Sequence, residues 1–338
     1  MEKNEAKRHH YIPQFILRNF TDDNDQLTYW DIKEEKLEKR NTRSVFMNWH
    51  MYRDEDNHKD DPTHIESSLS VFEKEIAELI KKKILYQSEI ILTRKELESL
   101  RIFLSLLSFR SDSRMNQYKE KKFNQSTFEI LAPFAPDGNF EDLWKREIEE
   151  LSKCRAYNQI RESKVIDPII KQDFLNDLEG QYMSFVDARG GDFLITDIYP
   201  TLEIFPLLPD ANIHLHFIFP LSNNRLLLLN NTMFRYDVKD PIINNMKCFS
   251  QIQGDMIIPP KNHYINGIIN SDDDKYIYKV RKIYSDDVEY INALQLNEAK
   301  VGVAFKDGDR VIKSIESYNL RDDRKKEYEN LAEQLNNK

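Results

Sequence analysis

The chain has 338 residues and a formal net charge of -9, from 49 Lys and Arg against 58 Asp and Glu. With 40% hydrophobic and 11% aromatic residues it can bury a sizeable core, unlike a disordered acidic chain. The acid excess excludes a general nucleic-acid footprint, although a local basic groove stays compatible with it.

The opening MEKNEAKRHHYIPQF lacks the apolar stretch of a secretory signal. The longest apolar runs, near Ile213–Leu221 and Leu226–Leu229, fall well short of the roughly 20 residues that span a bilayer. The expectation is a soluble, cytoplasmic protein with no membrane insertion. Cys154 and Cys248 form neither a disulfide framework nor a Cys-based zinc site, and are expected to be separate thiols.

In chain order, Pro13 suits the first turn of a short helix through Phe20, where its missing donor costs little. Leu27–Ile32 and Lys36–Arg40 read as strands turned at Glu34–Glu35, and Arg43–Tyr52 reads as irregular. A helix over about 64–85 places Ile65, Leu69, Phe72, Ile76 and Leu79 on one face. A second, over about 93–117, opens on a Thr93/Glu96 capping box and carries Leu97, Leu100, Phe103, Leu104 and Leu107. The short Ser88–Leu92 connection predicts that the two pack as a hairpin. Further helices are expected over about 140–157 and 167–187.

After Gly190 the pattern changes. Phe193–Thr196, Ile213–Phe219, Arg225–Leu229, Met256–Ile258, Tyr276–Val280 and Val311–Ile312 read as strands, and Tyr290–Ala304 as a helix. The charged Arg321–Lys338 end reads as a tail or solvated terminal helix. The fold class expected is α+β, a mainly helical N-terminal half packed with a mixed C-terminal half containing a largely antiparallel sheet. Residues 1–320 are expected to form one domain, with 1–189 and 190–320 as intimate subdomains if it divides, and 321–338 as the tail.

The segment HHYIPQFILRNF at His9–Phe20 resembles the opening motif of the uncharacterised, mostly prokaryotic DUF4238 family. The resemblance continues through Glu66–Glu73, Arg110–Arg114, GDFLITD ending at Asp197, and IFPLSNNRLLLL. It implies membership over most of the chain but transfers no mechanism. The chain departs from the family pattern after Asp197, where Ile198, Tyr199 and Pro200 stand in place of a compact Asp-Asn-Pro turn.

The chemistry-bearing residues gather around these motifs. His9, His10, Gln14 and Arg18 flank Pro13; a neutral histidine binds metals or moves protons, and an arginine fork holds phosphate. Arg110 and Arg114 continue the apolar line of their helix, and a charge aimed at a core needs a partner. Glu66 and Glu73, seven apart on one helix face, can supply it. Asp197 follows a strand, as a site residue or a turn residue. His214 and His216 alternate onto one strand face, an arrangement that suits a metal pair or an ordinary sheet surface. His50 and His58 carry weaker signals.

No glycine-rich phosphate loop, Gly-x-Ser-x-Gly elbow or His-Glu-x-x-His motif is present. The active reading is metal-dependent phosphodiester hydrolysis, in narrower form a nuclease, using a divalent metal and acting on nucleic acid or a phosphorylated ligand. In it His10, Arg18, Arg110 and Asp197 are catalytic, His10 and Asp197 hold the metal, His9, Gln14 and Arg114 bind substrate, and Glu66 and Glu73 support. The alternative is a non-enzymatic binding or scaffold protein in which the same groups form a structural polar network.

Overall fold

The computed structural model describes residues 8–55, 57–179, 181–208, 211–231 and 275–337. Cys248 and the strand expected at Met256–Ile258 lie outside the described residues. The chain opens with β1 (Arg8–His10) and α1 (Gln14–Leu17), then a hairpin of β2 (Gln26–Asp31) and β3 (Lys36–Asn41). Strand β4 (Met47–Trp49), inside the segment expected to be irregular, pairs antiparallel with β1.

A helical stretch follows: α2 (His64–Lys83), α3 (Arg94–Phe109), α4 (Asp112–Lys119), α5 (Gln125–Leu131), α6 (Phe140–Lys153), α7 (Tyr157–Glu162) and α8 (Pro168–Glu179). Strand β5 (Glu89–Thr93) joins α2 to α3. The apolar periodicity works as expected, burying Ile65, Leu69, Phe72 and Ile76 of α2. Phe72 meets Phe103 of α3 edge-on, ring centroids 5.4 Å apart, so the hairpin is packed. The Thr93/Glu96 capping box forms on both sides.

The second long helix is broken where continuity was expected. Arg110 leaves the helical conformation, and the Ser111 side chain accepts the Arg114 amide as the N-cap of α4. Arg110 therefore ends one helix and Arg114 belongs to the next, so they do not share a stripe.

The second half holds β6 (Gln181–Ala188), β7 (Ile195–Thr196), β8 (Thr201–Leu208), β9 (Ala211–Pro220) and β10 (Arg225–Asn231). It continues with β11 (Lys275–Lys279), β12 (Arg281–Ile283), α9 (Ser285–Glu298), β13 (Gly302–Phe305), α10 (Gly308–Glu316), α11 (Asp322–Glu327) and α12 (Glu329–Asn336). A five-stranded sheet runs in the order β12-β6-β10-β9-β8, antiparallel except for the β12–β6 pair. A four-stranded antiparallel sheet runs β3-β2-β13-β7. The fold is α+β.

Strand β13 sits between β2 and β7 and so locks the N-terminal hairpin to the C-terminal region. Its first residue must be glycine, since a Cβ on Gly302 would lie 1.9 Å from the Tyr29 hydroxyl.

Four expectations are corrected. The helix expected over Tyr290–Ala304 ends at Glu298, and Gly302–Phe305 forms β13. The helix expected to reach residue 187 ends at Glu179, and β6 follows. Val311–Ile312 belongs to helix α10, whose buried Val311, Ser314 and Ile315 follow helical spacing. The charged C-terminal end is helical, as one of the two alternatives had it, forming α11 and α12, but it is not merely solvated, because Tyr328 and Leu331 are buried in a cluster that includes Trp30 and Val303. Among the described residues no helix is long and apolar enough to cross a membrane.

Candidate functional site

The N-terminal motif is built into the core. His9 is buried on β1, stacks on Tyr52 with centroids 5.4 Å apart, and accepts the Tyr52 amide at Nδ1 over 2.8 Å. His10 donates from Nε2 to the Thr42 carbonyl at 3.1 Å, which leaves Nδ1 to accept the Gln14 amide at 3.4 Å. Burial pushes the His10 imidazole down to about 4, so it is neutral near pH 7. Both its ring nitrogens thus have protein partners, and Gln14 is committed to orienting it.

Arg110 is 0% exposed at the end of α3. Its Nη2 pairs with Glu73 at 2.7 Å and donates to the His10 carbonyl at 3.3 Å, and its Nε donates to the Tyr11 carbonyl at 3.4 Å. The Tyr52 hydroxyl donates to the Arg110 carbonyl at 3.2 Å. Nη1 is buried without a hydrogen-bond partner. Glu66, one turn pair away on α2, is lifted to about 7 by burial and by the Glu73 charge, with Arg110 opposing. Glu73 is the counter-charge to Arg110, while Glu66 lies on the same helix face with its carboxyl lifted by burial and by Glu73. A closed knot results, tying β1 to α2 and α3.

Asp197 stands apart from that knot. Its Oδ1 accepts the backbone amides of Lys300, Val301 and Gly302 at 2.9, 2.9 and 3.1 Å, which fixes the entry into β13. Burial raises its carboxyl above the usual range, with those amides opposing. Asp197 also lines a 680 Å³ pocket together with Tyr11, Ser111, Arg114, Tyr199 and Lys300. Arg114 donates from Nη1 to Gln117 at 2.8 Å. Burial pushes the Tyr11 phenol up, so it stays protonated.

The expected four-residue constellation is therefore divided. Of the four, Asp197 alone lines the pocket, where Arg114 joins it; His10 and Arg110 belong to the buried knot and do not line it; Arg18 is exposed on the turn after α1. A shared His10–Asp197 metal centre does not form, because His10's nitrogens face Thr42 and Gln14 while Asp197 Oδ1 faces main-chain amides. Tyr11 and Lys300 were missed. Tyr11 lay inside the opening motif, between the histidines and Pro13, whereas Lys300 offered no local signal.

The pocket is where the opening motif, the Arg110–Arg114 segment and the segment ending at Asp197 meet, through Tyr11, Arg114 and Asp197. A model of the family described as "Protein of unknown function (DUF4238)" matches residues 8–309, which include all three. The chain belongs to that family. No curated protein and no solved structure matches it. Among the described residues of this DUF4238 protein, Asp54, His58 and His64 form the one group of three His, Cys, Asp or Glu side chains whose ligand atoms lie within 4.8 Å of one another. His214 and His216 do not add to it: His216 is buried against Glu203 at 2.6 Å, while His214 is exposed.

Proposed function

We propose that the pocket between α4 and the β7–β8 connection binds a small phosphorylated ligand. The meeting of three family segments there, with Arg114 and Lys300 in the lining, carries the reading. An arginine fork matches phosphate geometry, and lysine adds a point charge. The four acids of the lining are engaged: Asp112 accepts amides of Asn48 and Asn116, Glu120 pairs with Lys122, Asp197 accepts three main-chain amides, and Glu298 faces Arg321 at 3.5 Å. A volume of 680 Å³ lies within the range of about 300–1,000 Å³ typical of small-molecule sites. The protonated Tyr11 phenol can donate to a phosphoryl oxygen.

Metal-dependent phosphodiester hydrolysis is the second reading. The Asp54–His58–His64 group favours it, since it supplies the metal-ligand chemistry that His10 and Asp197 do not combine to offer. In that reading the chemistry takes place at the Asp54–His58–His64 group, which shares no residue with the pocket of Asp197 and Arg114, and His10 stays a framework residue.

Binding is tested by calorimetry with a nucleoside monophosphate and with pyrophosphate at two salt concentrations. Arg114→Gln with Lys300→Gln is expected to weaken binding at least tenfold and to flatten the salt dependence. Equal affinity in the folded double variant removes the pocket from the reading. Cleavage of a phosphodiester model substrate, with and without divalent metals, separates hydrolysis from binding.

A further inference from the structure

A second pocket lies against α6, lined by Arg146, Glu149 and Lys153 together with His58. The chain from Asp54 to His64 folds back on itself: the Asp54 amide donates to the Pro62 carbonyl at 3.0 Å and the His58 amide to the Asp54 carbonyl at 3.3 Å. This return brings the buried Asp54 carboxylate, the exposed His58 and the half-buried His64 together, with the two imidazole centroids 3.6 Å apart. Their spacing in sequence, Asp-x3-His-x5-His, gives three ligands of the kinds that borderline metals accept.

His64 carries the decisive detail. Its Nδ1 lies 3.1 Å from the Asp61 carbonyl, which can only accept, so Nδ1 holds the proton. In the neutral ring Nε2 is then a bare lone pair. It is buried and lies 3.1 Å from Glu149 Oε2, within ion-pair distance, with no other hydrogen-bond partner. Two electron-rich atoms held that close need a cation, either a second ring proton or a metal. A tetrahedral ion bound at about 2.0–2.1 Å sets its ligand atoms about 3.3 Å apart, close to the 3.1 Å between His64 Nε2 and Glu149 Oε2, while the Asp54, His58 and His64 ligand atoms lie within 4.8 Å of one another and would draw in on binding.

We propose that Asp54, His58 and His64 form a zinc-binding site, with Glu149 of α6 as its fourth ligand or as the carboxylate facing a bound water. Hydrogen bonding of His64 Nδ1 to a main-chain carbonyl is the outer contact that fixes a ligating imidazole's tautomer and orientation. Both His58 and Glu149 also line a 330 Å³ pocket with Arg146 and Lys153. The site thus opens to solvent on its α6 side, where Lys153 pairs with Glu149 at 2.7 Å, and an exchangeable position there would accept water. The proposal is independent of the phosphate pocket, with which it shares no residue.

The full chain, stripped with chelator, is titrated with zinc chloride by calorimetry and its metal content measured after desalting. One tightly held equivalent is expected, together with a higher melting temperature. Cobalt substitution should give the intense visible absorption of tetrahedral coordination. His58→Gln, at an exposed position that leaves the fold intact, should weaken zinc binding at least tenfold, as should His64→Gln, while Arg114→Gln should leave it unchanged. Failure of the native chain to retain zinc overturns the proposal, as does unchanged binding in the folded double histidine variant; His64 would then be a protonated partner of Glu149.

Discussion

Glu66 offers a direct test of the buried knot through its effect on stability against pH. In the folded chain its carboxyl sits at about 7, against an ordinary 4.5, mainly because burial penalises the charged form and Glu73 repels it. Between these values the folded state binds more protons than the unfolded one, so stability falls as pH rises through the window. The difference of 2.5 units corresponds to about 3 kcal/mol, an upper figure because the side chain keeps some contact with water. His10 works in the opposite direction. Its ring is held at about 4 against an ordinary 6.5, so the unfolded state binds more protons and stability rises with pH over that interval. In the native chain the two slopes nearly cancel across most of their overlap. Glu66→Gln mimics the protonated acid and removes only the falling slope. Urea denaturation of both chains from pH 4.5 to 8 should show the variant gaining up to about 3 kcal/mol relative to the native chain as pH rises. A difference that stays constant across that range refutes the assignment of Glu66 as a buried, elevated carboxyl.

Two further expectations concern the frame of the pocket and the C-terminal helices. Asp197→Ala leaves three amides without their acceptor and should cost about 2–3 kcal/mol in chemical denaturation, whereas Asp197→Asn keeps one carbonyl oxygen and should cost less. Leu331→Ala should cost about 2–5 kcal/mol, as in a true core; a loss within about 0.5 kcal/mol would mean that α12 is a surface appendage.

The parts of the fold legible in the sequence are those specified locally. The stripes of α2 and α3 and the Thr93/Glu96 box needed only residues within a few turns of one another. The hairpin of β9 and β10 was visible because two apolar strands flank the Leu221–Asn224 turn. Some elements specified by distant partners were not legible. In β6, Met183, Ser184, Phe185 and Val186 are all buried, which erases the alternation of a half-exposed strand and leaves a run that also fits a helix. Strand β13 has four residues, all buried, and its reason for existing is the pair of strands on either side. The helix break at Ser111 had a recognisable capping residue, but the apolar line leading into Arg110 masked it. The site divided in the same way. Glu73 as partner to Arg110 followed from helical spacing, whereas the amides held by Asp197 lie more than 100 residues further along the chain.

That division explains why the most distinctive motif contributes so little side-chain chemistry to the pocket. What Arg110 takes from the HHYIPQ segment is two main-chain carbonyls, those of His10 and Tyr11, and these require β1 to lie against the end of α3. His9 and His10 secure that strand by bonding to Tyr52 and Thr42 on neighbouring loops. With Arg110 anchored, the next residue, Ser111, is placed to start α4, and α4 carries Arg114 to the pocket. Tyr11, between the histidines and Pro13, is the motif residue that reaches the pocket wall itself. Polar groups closed on one another at the motif and open polar groups one helix onward are thus two ends of one arrangement: the buried charge network sets the position of the exposed one.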